Sequence, residues 1–464
     1  MIGLAIICFF SLVNGFETVS KGMDLVKLKN SLLESEKYVK NHVGYEDSAI
    51  FISNSGAGSS ELINYIIGNK LKVVKVPPFN KMTITKADLQ SAGPEINNES
   101  FLKIANPKKW TSKELTNLIL WDVPEFDDDV EEVKDIINAF SLCQLVKNVK
   151  SLKIILVLDI NNIVEDDTQQ FRSLLTSLEK LFGNEFKQYF SSISVIFTKV
   201  PTMVSYEYIN YYLNNLLQDE IQWSEFLKEF IHYLVNNNNR IALFKEPSRE
   251  GILINTDIDV NIFPVIENSK SIQKSSLQDV HPPISDHSNL RLHDAQNELF
   301  PQTTFDDINS ILQKKLQKIS TNLQTITTSA ERTETKKSLE YLIIIQRRIL
   351  QCSDYKGHIY KKTNILVSIG DDIRNIIEKQ SLLEKLELIM FIEKLLNIEI
   401  SKTLENSLDV IIFSFELELN RTINILNTRL SAFPEKKKNS NTNSFDDIGN
   451  FIIKIFTNNL DRYI

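Results

Sequence analysis

Residues 50–68 read IFISNSGAGSSELINYIIG: an apolar run, a glycine-containing turn and the start of an amphipathic segment. Glycines in such a turn let successive backbone N–H groups close around an anion, and the amino end of the following helix adds positive potential. The pattern that holds nucleotide phosphates this way is G-x-x-x-x-G-K-[ST], whose lysine reaches the terminal phosphates and whose hydroxyl holds Mg2+. Gly58 fits the last glycine and Ser60 the hydroxyl, whereas Ser53 stands at the first glycine and Ser59 at the lysine. The candidate anion-binding residues are Asn54, Ser55, Gly56, Ala57, Gly58, Ser59 and Ser60. A serine-glycine turn that merely caps a helix is the alternative.

With Gly56, Ala57, Gly58, Ser60, Leu62, Ile63, Asn64 and Gly68, the segment resembles the loop of the P-loop GTPases related to septins, dynamin-like proteins and immunity-associated GTPases. Members of that class often read close to GNTGAGKSTLINYLLG. Residues 118–126 (LILWDVPEF) resemble the family's strand and D-x-P-G-F, in which the aspartate holds Mg2+ through water. Asp122 and Pro124 match there, and Glu125 takes the glycine position. Residues 197–201 (FTKVP) resemble the strand-end [NT]-K-x-D, whose lysine lies along the base and whose aspartate reads guanine; Thr198 and Lys199 match, and Pro201 replaces the aspartate. The resemblance spans residues 48–250 and implies GTP or GDP as cofactor, Thr198 and Lys199 at the base, and Mg2+ on Ser60 and Asp122. Thr83 and Thr85 are the candidates for a switch threonine.

The substitutions fall on three separate tasks. Ser59 supplies no charge for phosphoryl transfer. A carboxylate at 125 beside a terminal phosphate, ~4 Å away at an effective dielectric near ~20, costs ~4 kcal/mol. Without the base-reading aspartate, guanine donors go unpaired and selectivity relaxes. The expectation is a degenerate site that binds nucleotide and Mg2+ weakly or not at all, has no catalytic residue and turns nothing over. An active NTPase that borrows a lysine or arginine from elsewhere, and a purely structural helical assembly protein, are the alternatives.

The elements that must carry these residues are legible as apolar runs. Residues 48–53, 115–121, 152–160, 193–197 and 241–244 are apolar without alternation. Helical stretches lie at 22–43, 129–148, 166–182, 203–217 and 223–236. Continuous apolar strands between helices predict an α/β domain with a mostly parallel sheet covered on both faces. Residues 265–303, polar and carrying Pro282, Pro283 and Pro301, read as a linker or long loop. Beyond residue 302 the chain has one proline, Pro434, and three glycines, Gly357, Gly370 and Gly449. Apolar residues there, beginning Ile308, Leu312, Leu316 and Ile319, recur at helical spacing and predict an all-α bundle or stalk. The expected organisation is a signal peptide at 1–15, a helix within 16–47, the GTPase-like domain at 48–264, the linker at 265–303 and the helical part at 304–464.

The formal charge of −8 argues against a binder of nucleic-acid polymers. Residues 2–13 form an uncharged apolar run with small residues before Phe16, a secretory pattern too short to span a bilayer. The expectation is a secreted protein that acts by binding or assembly, on itself or a protein target, such as an effector or venom-type factor. Removal of the leader leaves Cys143 and Cys352, as one disulfide or two free thiols. Membrane association is not indicated: Lys436, Lys437 and Lys438 read as a solvated loop. The acidic run from Glu125 to Glu132 reads as a solvated helix start, and His281, His287 and His293 as loop residues without a metal.

Overall fold

The computed structural model describes residues 23–77, 81–96, 106–124, 131–164, 168–218, 223–253, 258–322, 328–354 and 358–432. The expected signal peptide, Glu125 and the lysines at 436–438 lie outside them. Residues 305–377 with 407–464 form one compact unit and the rest of the chain another.

The first unit is built on strands without a polar face. In β1 (Asp47–Ser53) six consecutive residues are buried, and in β6 (Ser151–Asp159) eight are. A strand can bury every side chain only where both faces of its sheet are covered, which is why no alternation appears in its sequence. β5 (Ile119–Asp122), β1, β6, β7 (Ile193–Val200) and β8 (Ile241–Lys245) lie side by side and parallel, in that order. β4 (Lys108–Thr111) and β10 (Asp259–Val260) close the two edges antiparallel, and β11 (Ile272–Gln273) adds antiparallel to β6.

The pleat divides the core in two. Ile50, Ile52, Leu152, Ile154 and Leu156 share one cluster with α3 (Glu132–Asn148), α4 (Gln169–Phe182), α5 (Tyr206–Gln218) and α6 (Glu225–Asn236). Ala49, Phe51, Ile155 and Val157 share the other with α2 (Ser59–Ile66) and α7 (Ile262–Asn268). The expected α/β architecture with a mostly parallel sheet is what the chain adopts.

Four features depart from the sequence expectation. β2 (Leu71–Val76) and β3 (Lys81–Lys86) pair antiparallel, and β9 (Gly251–Ile252) extends them into a separate three-stranded sheet. α1 (Leu25–His42), capped by the Asp24 carboxylate, packs on α3 and so belongs to the α/β unit. Residues 265–303 are not a linker: Leu277, Val280, Leu292 and Ala295 are buried there. Pro282 and Pro283 simply precede Ser285, whose hydroxyl caps α8 (Asp286–Leu299), so the break they impose falls between elements. Finally, the helical part is not one body. Residues 378–406, with α13 (Leu382–Leu396), belong to the first unit, where α13 packs on α1.

The second unit is helical: α9 (Gln302–Asn322) over its residues from Phe305, α10 (Ser329–Asp354), α11 (Ile359–Val367), most of α12 (Asp371–Lys379) and α14 (Lys402–Ala432) from Ser407. The stripes Leu312–Leu316, Leu342–Ile345–Ile349 and Phe415–Leu419–Leu426 are buried. Polar ties join its helices: Gln346 donates to Asn420 Oδ1 at 2.5 Å, and the buried Lys362 ammonium donates to Asp409 at 2.6 Å. Cys143 and Cys352, one in each unit, are buried free thiols. Among the described residues no helix is long and apolar enough to cross a membrane.

Candidate functional site

Parallel pairing brings the carboxyl ends of the central strands to one edge of the sheet, the usual place for a ligand in an open α/β sheet. Phe51 of β1 pairs with Asp122 of β5, and Asp159 of β6 pairs with Thr198 of β7. The glycine loop therefore emerges from β1 between Asp122 on one side and Asp159, Thr198 and Lys199 on the other. Residues as far apart as Ala57 and Thr198, 141 positions in sequence, meet there.

The loop has the backbone that its glycines foretell. Gly56 and Gly58 lie at φ +74° and +80°, the left-handed region that a side chain makes costly. Ala57 N–H donates to Asn54 O at 3.2 Å, closing the turn, and Leu62 N–H donates to Gly58 O at 3.1 Å, starting α2. Asn64 fixes that helix by donating to Ser60 O and Pro94 O, both at 2.8 Å. Ser53, Asn54, Ala57 and Ser59 are buried, whereas Ser55 and Gly56 are exposed and Gly58 and Ser60 partly so. Asn54 donates to Gln170 O at 2.5 Å, and its buried Oδ1 has no hydrogen-bond partner among the described residues.

Thr198 and Lys199 hold the loop from β7. The Thr198 hydroxyl lies 2.5 Å from Ala57 O and 3.1 Å from Leu158 O; its single proton serves one at a time. Lys199 donates from Nζ to Gly56 O and to Asp159 Oδ2, each at 2.7 Å. Its backbone is at φ +51°, and the pairing of β7 with β8 shifts register between Phe197 and Val200. A local irregularity of this kind re-aims a side chain that regular pleating would send elsewhere. Here it directs the ammonium to the loop. Among the described residues Lys199 is the one ammonium hydrogen-bonded to residues 53–60.

Glu61 and Asp159 were not singled out from the sequence. A Cβ placed on Gly58 would lie 3.7 Å from Glu61 Oε2, so a carboxylate stands at the amino end of α2 where an incoming phosphate would compete with it. Burial pushes the Glu61 carboxyl above its usual range, opposed by its own N–H and by Lys199. Nothing in the local sequence distinguishes Glu61 from an ordinary acid in a helix's first turn. Asp159 ends an apolar run, and only the pairing of β6 with β7 sets it against Lys199.

The remaining candidates are placed as follows. Ser60 lies in the first turn of α2 and Asp122 at the end of β5, on the same edge of the sheet. Pro201 follows β7. Thr83 and Thr85 sit in β3 opposite Val74 and Lys72, and among the described residues no hydrogen bond joins either to the loop. Of the three histidines read as loop residues, His287 and His293 lie in α8 instead; His281 Nδ1 accepts from Asn397 at 3.0 Å, and His287 meets Glu132 at 3.3 Å. Among the described residues no group of three or more His, Cys, Asp or Glu would hold a metal ion.

No family profile and no curated protein matches the chain. Among solved structures it is similar to S. thermophilus NFeoB bound to GDP, at 13% identity and a TM-score of 0.25 over 75% of this chain and 97% of that one. It is similar also to a GDP-bound S. thermophilus FeoB G-domain, at 10% identity and a TM-score of 0.24 over 82% of this chain and 98% of that one. Likenesses of this size carry no weight beside the residues themselves.

Proposed function

We propose that the α/β unit is a GTPase-like domain whose nucleotide site has decayed, so that the protein acts by binding or assembly and does not turn over nucleotide. The observation that carries this reading is the occupation of the loop by the chain's own charges. Lys199 commits its ammonium to Gly56 O and Asp159, Ser59 offers no replacement, and Glu61 places a carboxylate beside Gly58. A phosphate entering the loop would meet exposed backbone at Ser55 and Gly56, but no cation free to receive it from the loop itself. Ser60 and Asp122 would remain as the ligands of any Mg2+, which would screen phosphate charge there; Asn54 to Ser60, Thr198 and Lys199 would contact GTP or GDP.

Thermal unfolding of the full chain with Mg2+ and GTP, GDP or ATP tests the reading. A ligand at ~100 times its dissociation constant adds ~2.7 kcal/mol, so a functional site would register clearly. The expected outcome is no shift that Ser60→Ala abolishes, and GTP hydrolysis no faster than in Ser60→Ala. Hydrolysis well above that control would overturn the proposal in favour of an active NTPase. Secretion is part of the same proposal, and sequencing the mature amino terminus from the native source checks it, with Phe16 expected first. Self-association measured with and without nucleotide should be the same.

A further inference from the structure

The second unit carries a concentration of positive charge that its own carboxylates do not neutralise. Residues 305–377 with 407–464 hold 19 Lys+Arg against 15 Asp+Glu, a formal +4 in a chain of −8. Part of that surplus lines one groove of about 810 Å3 between α9, α10 and α12. Lys314, Lys315 and Lys318 border it from α9, Lys337 from α10, and only Glu334 and Asp372 oppose them. Asp372 is taken up by Lys315, whose ammonium lies 4.0 Å from its Oδ2 and 5.8 Å from the centre of the Tyr341 ring. The Tyr341 hydroxyl donates to Ile369 O at 3.3 Å, which fixes that ring. Lys314, Lys318 and Lys337 make no ion pair among the described residues. Ser338 and Asn375 add neutral polar groups, and Ile311 and Ile319 add apolar wall.

We propose that this groove binds a small molecule carrying two or more phosphates. Ammonium groups on flexible stems recognise phosphate as point charges. Lysines on two facing helices suit an anion whose charges are spaced apart, and a single phosphate would engage only one side. The groove is open, so the phosphates either belong to a soluble compound or project from a lipid headgroup.

Calorimetric titration of the full chain with tripolyphosphate and with inositol trisphosphate tests the proposal, with sodium sulfate as the singly placed anion. Saturable binding is expected to both polyphosphates, weakening steeply as salt shortens the screening length below ~10 Å. Lys314→Glu with Lys318→Glu should weaken it by more than about tenfold, because two attractive charges become repulsive. Lys337→Glu, on the other helix, should weaken it independently, and circular dichroism checks that each variant is folded. Ser60→Ala should leave the affinity within about twofold. Vesicles containing a phosphatidylinositol bisphosphate separate the sources: binding there that free inositol trisphosphate displaces assigns a lipid headgroup, and binding of the free compound alone assigns a soluble one. Absence of binding to either polyphosphate, affinity unchanged by the lysine reversals, or a loss caused by Ser60→Ala instead would each overturn the proposal.

Discussion

The two compact units bury their apolar residues by different means, and they carry opposite charge. In the first, formally −12 from 33 Lys+Arg and 45 Asp+Glu, whole strands such as β6 vanish into a sheet covered on both faces. In the second, formally +4, the helices bury stripes, and α10 and α14 leave Ile344, Leu350, Val410, Phe413 and Leu417 exposed. Of residues 54–58 at the edge of the sheet unit, Asn54 and Ala57 are buried, Ala57 as part of the core, while Ser55 and Gly56 are exposed.

Mutations can break this contrast. The largest effect is expected at Phe197, fully buried in β7: Phe197→Ala should destabilise the first unit by about 3–5 kcal/mol, read as a lowered denaturation midpoint, whereas Phe413→Ser in α14, 63% exposed, should stay within about 0.5 kcal/mol. An equal loss at both positions would end the distinction. Next comes Thr198→Ala, which removes the hydroxyl holding Ala57 O inside the first unit. A cost of about 1–3 kcal/mol is expected for the buried carbonyl left behind. Chemical denaturation checks it, and proteolysis of residues 54–58 should quicken in parallel.

A smaller effect belongs to Glu61. Its carboxyl is raised in the folded state, so the native chain binds the proton more readily than the unfolded one. Its contribution is thus most favourable at or below the ordinary glutamate range, about pH 4.3, and is lost as pH rises through the folded value. Glu61→Gln should consequently gain on the wild type as pH climbs towards neutrality, in paired urea titrations. The smallest effect is expected from Asp47, held below the usual carboxylate range by its hydrogen bonds from Lys150 and Ser151. Its stabilisation is present above about pH 3.9 and is lost as pH falls through the depressed value. Since the pair is exposed, Asp47→Asn should barely move the midpoint at neutral pH.

Much of the sheet was legible because burial on both faces leaves an unbroken apolar signature. β1, β6, β7 and β8 appear in the sequence within a few residues of their observed limits. β2 and β4 do not, since LKVVKV and KKWT mix lysines into strands that are half exposed or lie on an edge. The segment 265–303 was misread because proline and polar content mark a chain break without saying how short it is. At the site, Gly56 and Gly58 were legible as a turn, whereas Thr198 and Lys199, expected at a nucleotide base, are hydrogen-bonded to the glycine loop. Glu61 and Asp159 were invisible, since their roles depend on which strand ends and helix turns become neighbours in three dimensions.

The two buried thiols give the molecule a pair of internal clocks. Burial raises both Cys143 and Cys352 to about 11, so at neutral pH almost no thiolate exists in either folded unit. Alkylation must wait until the surrounding helices open. One cysteine sits in α3 of the sheet unit and the other in α10 of the helical unit. In a chain lacking Cys8, the two labelling rates would time the opening of each unit separately, without any probe having to be introduced.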